Sequence, residues 1–363
     1  MLSSVAPSDA GHRRDPDTLA VALVIPLHGP AGIIGPSAEL CAQLAVEELN
    51  ATTGAAGREL QVVVVDGGSS PDQVADEVEG LVAREEVDAV VGWHISAVRQ
   101  TLAPRLSGRV PYIYDALYEG GERTPGVFLT GETPDRQLRP AIRWLTQGLG
   151  VRSWAIVGND YVWPRRSAER AQSYLAECGA RLCDQVFVPL DTKDFTPALR
   201  RVERSGCDAV LMLLVGSDAV AFNRQFAARG LSDGCVRLSP LMDENMLLGS
   251  GIGATAGLYS AAGFFETLVT ESSLDFSGRF ARRFGPQAPV LNSLGESCYE
   301  GIRLLAELVA RANSAEVPAV CAAAEQLRYD GPRGEVVMVG NHVRQQIYLA
   351  RASGLEFEVL AEF

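Results

Sequence analysis

From residue 19 to about residue 229, short apolar runs alternate with amphipathic segments, and this alternation constrains the fold more than any other feature. The run 19–26 (LAVALVIP) has no polar alternation, so it reads as a strand covered on both faces. A Gly/Pro loop at 28–36 (HGPAGIIGP) follows, and Ser37 is expected to cap a helix over 38–50. The order then repeats as strand 60–65, helix 71–84, strand 88–91 and a helix opening at Ser96. After a helix at about 135–149 the series restarts: strand 153–157, helix 164–178, strand 182–188, helix 195–205, strand 208–214, helix 217–229. Strands separated by helices read as crossover units, so an α/β fold with parallel sheets and helices on both faces is expected.

Two such series imply two similar lobes, and 363 residues exceed one ordinary core. An internal echo points the same way: 88–100 (DAVVGWHISAVRQ) and 208–222 (DAVLMLLVGSDAVAF) are both Asp-led strands that empty into a helix headed by serine. The last third is expected to cross back, with a strand at 257–262, helices at 271–284, 292–313 and 318–327, and β-hairpins through 334–361. The stretch RYDGPRGEVVM has the turn chemistry to begin that ending. The expected division is a flexible leader at 1–18, a first lobe of 19–134 plus about 264–330, and a second of 135–263 plus about 331–363. Hinge crossovers are expected near 130–135, 258–264 and 328–336.

Composition narrows the function classes. Apolar residues make up 47% and charged ones 21%, the balance of a soluble globular chain. A net charge of −13 repels phosphate backbones, so nucleic acid is not expected as a direct partner. No apolar run reaches the roughly 18 residues of a spanning helix, so no membrane partner is expected either. The leader MLSSVAPSDAGHRRDPDT lacks the apolar centre of a signal peptide, which points to a cytoplasmic protein. The 7 cysteines form no CxxC pair and read as reduced, mostly buried thiols.

Catalytic constellations are missing. Gly29, Gly32 and Gly35 follow a strand, but at G-x-x-G-x-x-G spacing and with no Walker lysine behind them. No G-x-S-x-G elbow exists, and His12, His28, His94 and His342 have no metal-binding spacing. The adjacent carboxylates Asp243–Glu244 and Glu85–Glu86 read as solvated. Neither an enzyme nor a cofactor or metal is expected. What recurs instead is polar and aromatic residues at the C-terminal ends of the strands, where open α/β sheets bind ligands. The first lobe offers His28, the segment from Trp93 through His94 to Ser96, and Tyr114, Asp115 and Ala116; the second offers Tyr161, Trp163, Gly216 and Ser217. Two lobes with such rims suit a cleft that closes on a small molecule by hinge motion.

The β–α–β layout, LAVEELN at 44–50, Tyr118-Glu119-Gly120, DYVWP at 160–164 and VPLDTKDF at 188–195 resemble the type I periplasmic-binding-protein fold. Within it the chain is similar to the amide-sensing regulators of bacterial amidase and nitrile hydratase operons, and to urea and short-chain-amide binding proteins. The resemblance implies that Ser96 hydrogen-bonds the ligand's amide, that His94, Tyr114 and Ala116 line the first lobe's wall, and that Tyr161, Trp163, Gly216 and Ser217 close the other side. Asp115 stands where relatives have proline, and as a carboxylate it keeps an amino-acid ligand open. The expected function is therefore a cytoplasmic sensor of a small neutral amide that acts on gene expression through a regulatory protein partner, an RNA-binding antiterminator or a transcription factor. The alternative is a solute-binding protein of an ABC importer for urea, short amides or branched-chain amino acids. The oligomeric state stays open, a homo-oligomer included.

Overall fold

The structure is a computed structural model that describes residues 16–363, so the leader expected at 1–18 falls almost wholly outside the described residues. The chain opens with β1 (Thr18–Ile25), α1 (Gly35–Asn50), β2 (Glu59–Asp66), α2 (Pro71–Ala83), β3 (Ala89–Gly92), α3 (Ser96–Leu106), β4 (Tyr112–Tyr114) and β5 (Val127–Leu129). A second series follows: α4 (Pro134–Gly148), β6 (Ser153–Asn159), α5 (Val162–Glu177), β7 (Arg181–Val188), α6 (Thr196–Ser205), β8 (Ala209–Leu213), α7 (Ser217–Ala228), β9 (Val236–Ser239), α8 (Glu244–Ser250) and β10 (Leu258–Ala262). The ending comprises α9 (Glu271–Phe284), α10 (Ser293–Ala312), α11 (Val317–Ala323), β11 (Arg328–Gly331), β12 (Gly334–Val339), β13 (His342–Arg344), β14 (Tyr348–Ser353) and β15 (Glu356–Glu362).

The two lobes are wound alike. The first sheet runs β2-β1-β3-β4-β5 and the second β7-β6-β8-β9-β10, all parallel. The internal echo thus falls on equivalent strands, β3 and β8, each beside the first strand of its lobe. Helices cover both faces: α1 and α10 lie opposite α2 and α3 in the first lobe, and α4 and α5 opposite α6 and α7 in the second. That double cover is why β1 is apolar along nearly its whole length.

Both sheets are mixed rather than purely parallel. β11, β12 and β13 extend the first sheet beside β5, while the hairpin β14–β15 pairs antiparallel with β10 in the second. The tail expected whole in the second lobe is therefore split, and the chain passes between sheets at 345–347 rather than at 328–336. An antiparallel strand can join either sheet's edge, so the local pattern carries no address. The other passages run from β5 into α4 and from β10 into α9, which packs on α1.

Local signals explain most boundaries. Ser70 accepts the Gln73 N–H and Gln73 accepts back from Ser70, a reciprocal cap on α2 that contributes about 1 kcal/mol. The cap expected at Ser37 is not formed. α1 starts three residues earlier than expected, at Gly35, with Pro36 in its first turn, and Ser37 lies inside the helix with its hydroxyl buried beside Cys41.

Candidate functional site

The C-terminal ends of β3 and β4 face those of β6, β8 and β9 across the interlobe cleft, with α3 opposite α5. They line a narrow space of about 20 Å³, room for roughly one water molecule with the lobes as they stand. Its first-lobe wall is Trp93, His94, Ile95, Ser96, Tyr114, Ala116 and Leu117, joined by Leu294 of α10; Tyr161, Trp163, Val215 and Leu241 close it from the second lobe. No charged side chain is among them.

Gly92 makes the turn that presents this wall. Its φ of +147° suits glycine, and a Cβ there would collide with the Val24 carbonyl of the neighbouring strand. The chain then places Ile95, not Ser96, at the helix N-cap; Ser96 is the first helical residue. Its hydroxyl is consequently not spent on capping. It is buried and faces the Tyr114 hydroxyl, whose own proton is donated to the His94 carbonyl at 2.7 Å. Ile95 has no polar side chain to cap α3, so the first N–H groups lack a side-chain partner. Trp93 Nε1 is likewise buried and unpartnered.

His94 is held as a neutral wall. Its Nδ1 lies 3.3 Å from the Ile95 carbonyl and its Nε2 2.8 Å from the Tyr112 hydroxyl, a pattern that assigns the proton to Nδ1. Burial pushes its pKa down to about 3, assisted by the nearby Arg99 charge. The Tyr114 ring is backed by the Arg99 guanidinium at 5.2 Å, and that guanidinium is matched by Glu119 (2.7 Å) and Glu122 (3.1 Å). In the second lobe Asn159, at the end of β6, accepts the Val215 N–H at 2.9 Å and donates to Asp218 at 2.7 Å. This fixes the Val215 wall to its neighbouring strand.

Of the residues singled out from sequence, Ser96, His94, Tyr114, Ala116, Tyr161 and Trp163 line the cavity together. Four do not. His28 is exposed and pairs with Asp66 on the rim's outer side. Asp115 points away from the ligand space: Thr130 donates to it at 3.3 Å, α10 covers it, and burial raises its pKa well above the usual carboxylate range. Gly216, at φ +48°, instead packs against Pro30 and Ala31 of the first lobe, and Ser217 heads α7 outside the cavity. Leu241 and Leu294 were not foreseen. The first follows β9 and could have been found from the strand-end rule; nothing local marks the second. The pair Asp243–Glu244, expected in solvent, is buried: Asp243 caps α8 through the Met246 N–H, and Glu244 accepts the Glu266 N–H, both at 2.9 Å.

The comparisons agree with this architecture. Residues 18–355 match the family described as periplasmic binding protein, and the chain belongs to that family. A Leu/Ile/Val-binding protein homolog 6 of Brucella melitensis is 24% identical over 77% of this chain and 74% of its own length. An ABC-transporter solute-binding protein of Rhodopseudomonas palustris, solved with 3,4-dihydroxybenzoic acid, superposes with a TM-score of 0.84 at 22% identity, covering 96% of this chain and 97% of that one. The branched-chain amino acid transporter substrate-binding protein of Streptococcus pneumoniae, solved with isoleucine, gives 0.82 at 18% identity, covering 95% and 98%. These structural likenesses establish the fold.

The family is one of ligand-binding proteins, not enzymes. The cytoplasmic location expected from the leader is overturned, because the family and these relatives are periplasmic and transporter binding proteins. A particular closeness to amide-sensing regulators is not seen among them.

Proposed function

We propose that this protein is the periplasmic solute-binding component of an ABC importer and that it carries a small aromatic or branched apolar carboxylic acid lacking an ammonium group. The observation that carries the ligand class is the cavity wall: aromatic and aliphatic for the most part, uncharged, with the Ser96 hydroxyl, not used in capping, in the first turn of α3. A carboxylate would take that hydroxyl and the first N–H groups of the helix, whose dipole favours negative charge. An amino acid would add an ammonium, and an ion buried without a partner costs several kcal/mol. Asp115, the acid nearest in sequence, is committed to Thr130 on the far side of its strand.

A neutral primary amide of the same shape is a second reading, favoured because no cationic side chain lines the cavity. Isothermal titration with 4-hydroxybenzoate, benzamide, leucine and urea separates the cases. Binding of the aromatic acid at micromolar concentration, with leucine far weaker, is the expected result. Tight leucine binding without a response to either aromatic compound would overturn the ligand class.

A further inference from the structure

We propose that Cys207 and Cys235 form a disulfide bond when the protein meets an oxidising compartment. Their sulfurs lie 3.9 Å apart; Cys207 stands two residues before β8 and Cys235 one residue before the adjacent parallel strand β9. The register that pairs Ala209 with Val236 sets the two strand beginnings side by side, so side-chain rotation closes the gap with little backbone displacement. Both thiols are largely buried, yet Gly206, Asp208 and Gly234 beside them are exposed, which gives a small oxidant a short path. This end of the sheet is opposite the ligand cavity, which lies at the strands' C-terminal ends.

The chemistry is thiol–disulfide exchange with a small disulfide such as oxidised glutathione. The Cys207 thiolate attacks one of its sulfurs and releases one glutathione thiolate, which takes up the proton Cys207 lost. Cys235 then attacks Cys207 Sγ in the mixed disulfide and releases the second glutathione, again with its proton. Two protein thiols are oxidised and one glutathione disulfide is reduced. Cys207 is suited to the first attack: hydrogen bonds from the Cys235 thiol, the Ser205 hydroxyl and nearby backbone hold its pKa below that of an ordinary thiol, against the effect of burial. The bond would enclose β8 and α7, the unit that carries Val215 to the cavity.

The test uses the full chain, reduced and then incubated with oxidised glutathione under native conditions. Free thiols are alkylated and the protein mapped by mass spectrometry. The expected result is loss of two of the 7 alkylatable thiols, a linked peptide joining Cys207 to Cys235, and a rise in Tm of about 5 °C that reductant reverses. Cys235→Ala should abolish the rise; if that variant folds poorly, the thiol count of the unmodified chain decides alone. Seven alkylated thiols after native oxidation, or a link between other cysteines, overturns the proposal. The thiol count does not depend on any ligand, so its failure is distinct from failure of the binding reading.

Discussion

The Arg333 guanidinium meets the Glu132 carboxylate at 2.8 Å, and the same carboxylate oxygen accepts the Gly263 N–H at 2.9 Å. Arg333 sits in the turn between β11 and β12, Glu132 in the passage from β5 to α4, and Gly263 in the passage from β10 to α9. One buried ion pair therefore ties the first lobe to two of the chain's crossings. Arg333 also holds Glu296 and donates to Ser297 and the Ser293 carbonyl of α10. Arg333→Met should leave Glu132 and Glu296 buried without their cation, and lower stability by about 3–5 kcal/mol in urea denaturation. Adding Glu296→Gln should restore part of that loss. A variant as stable as the parent would show that the pair does not hold the hinge.

Ser96→Ala removes a buried hydroxyl whose neighbour within the protein is the Tyr114 hydroxyl. Folding stability should fall by no more than about 1 kcal/mol, because Tyr114 keeps its bond to the His94 carbonyl. Ligand binding should weaken about 10- to 100-fold, the effect of deleting one buried hydrogen bond to a charged or polar head group. Calorimetric titration with the ligand found for the parent, alongside thermal unfolding, checks both halves. Equal affinity would remove Ser96 from the site.

His94 makes stability depend on pH with a definite sign. Its folded pKa is about 3 against an ordinary 6.5, so below pH 6.5 the unfolded chain takes up a proton that the folded one refuses. Its contribution is complete above pH 6.5 and is lost as pH falls toward 3. Between pH 7.5 and 5.0 the loss is about 2 kcal/mol. Asp243, raised to about 7 by burial, runs the other way: its contribution is present below about pH 4 and is lost as pH rises through 7. Comparing wild type with His94→Gln at both pH values isolates the histidine, since Gln keeps an acceptor for Tyr112. The wild type should lose about 2 kcal/mol more than the variant on acidification; parallel curves would contradict a buried neutral imidazole.

The sequence disclosed the architecture and much of the cavity wall for one physical reason. Parallel strands covered on both faces are apolar throughout, and the residues just past their C-terminal ends must face the cleft. Ser96, Tyr161 and Trp163 are legible on that rule. Asp115 was misread because side chains alternate along an extended chain: Tyr114 and Ala116 face the cavity, so the residue between them faces Thr130 and α10. Leu294 reaches the cavity only because α10 returns to the first lobe, a contact set by tertiary packing. The split of β11–β13 from β14–β15 between sheets was hidden for the same reason.

Gly216 is a point outside the cavity where the second lobe meets the first. It adopts φ +48° and ψ −116°, and a Cβ on it would collide with the Pro30 carbonyl. Beside it, Asn245 donates to the Ile33 carbonyl at 3.3 Å, so the Pro30–Ile34 turn is gripped from α7 and α8 together. These contacts join the two lobes, so opening the cleft is expected to break them. Gly216→Ala should therefore tax closure rather than the cavity: affinity should fall about 10-fold for every ligand, with their order of preference unchanged, because an equilibrium shift lowers apparent affinity uniformly. Small-angle scattering should show less compaction on ligand addition than in the parent. If the variant instead lowered Tm in the absence of ligand while binding and compaction stayed normal, the strain would be local to α7 and the contact with Pro30 would have no part in closing the lobes.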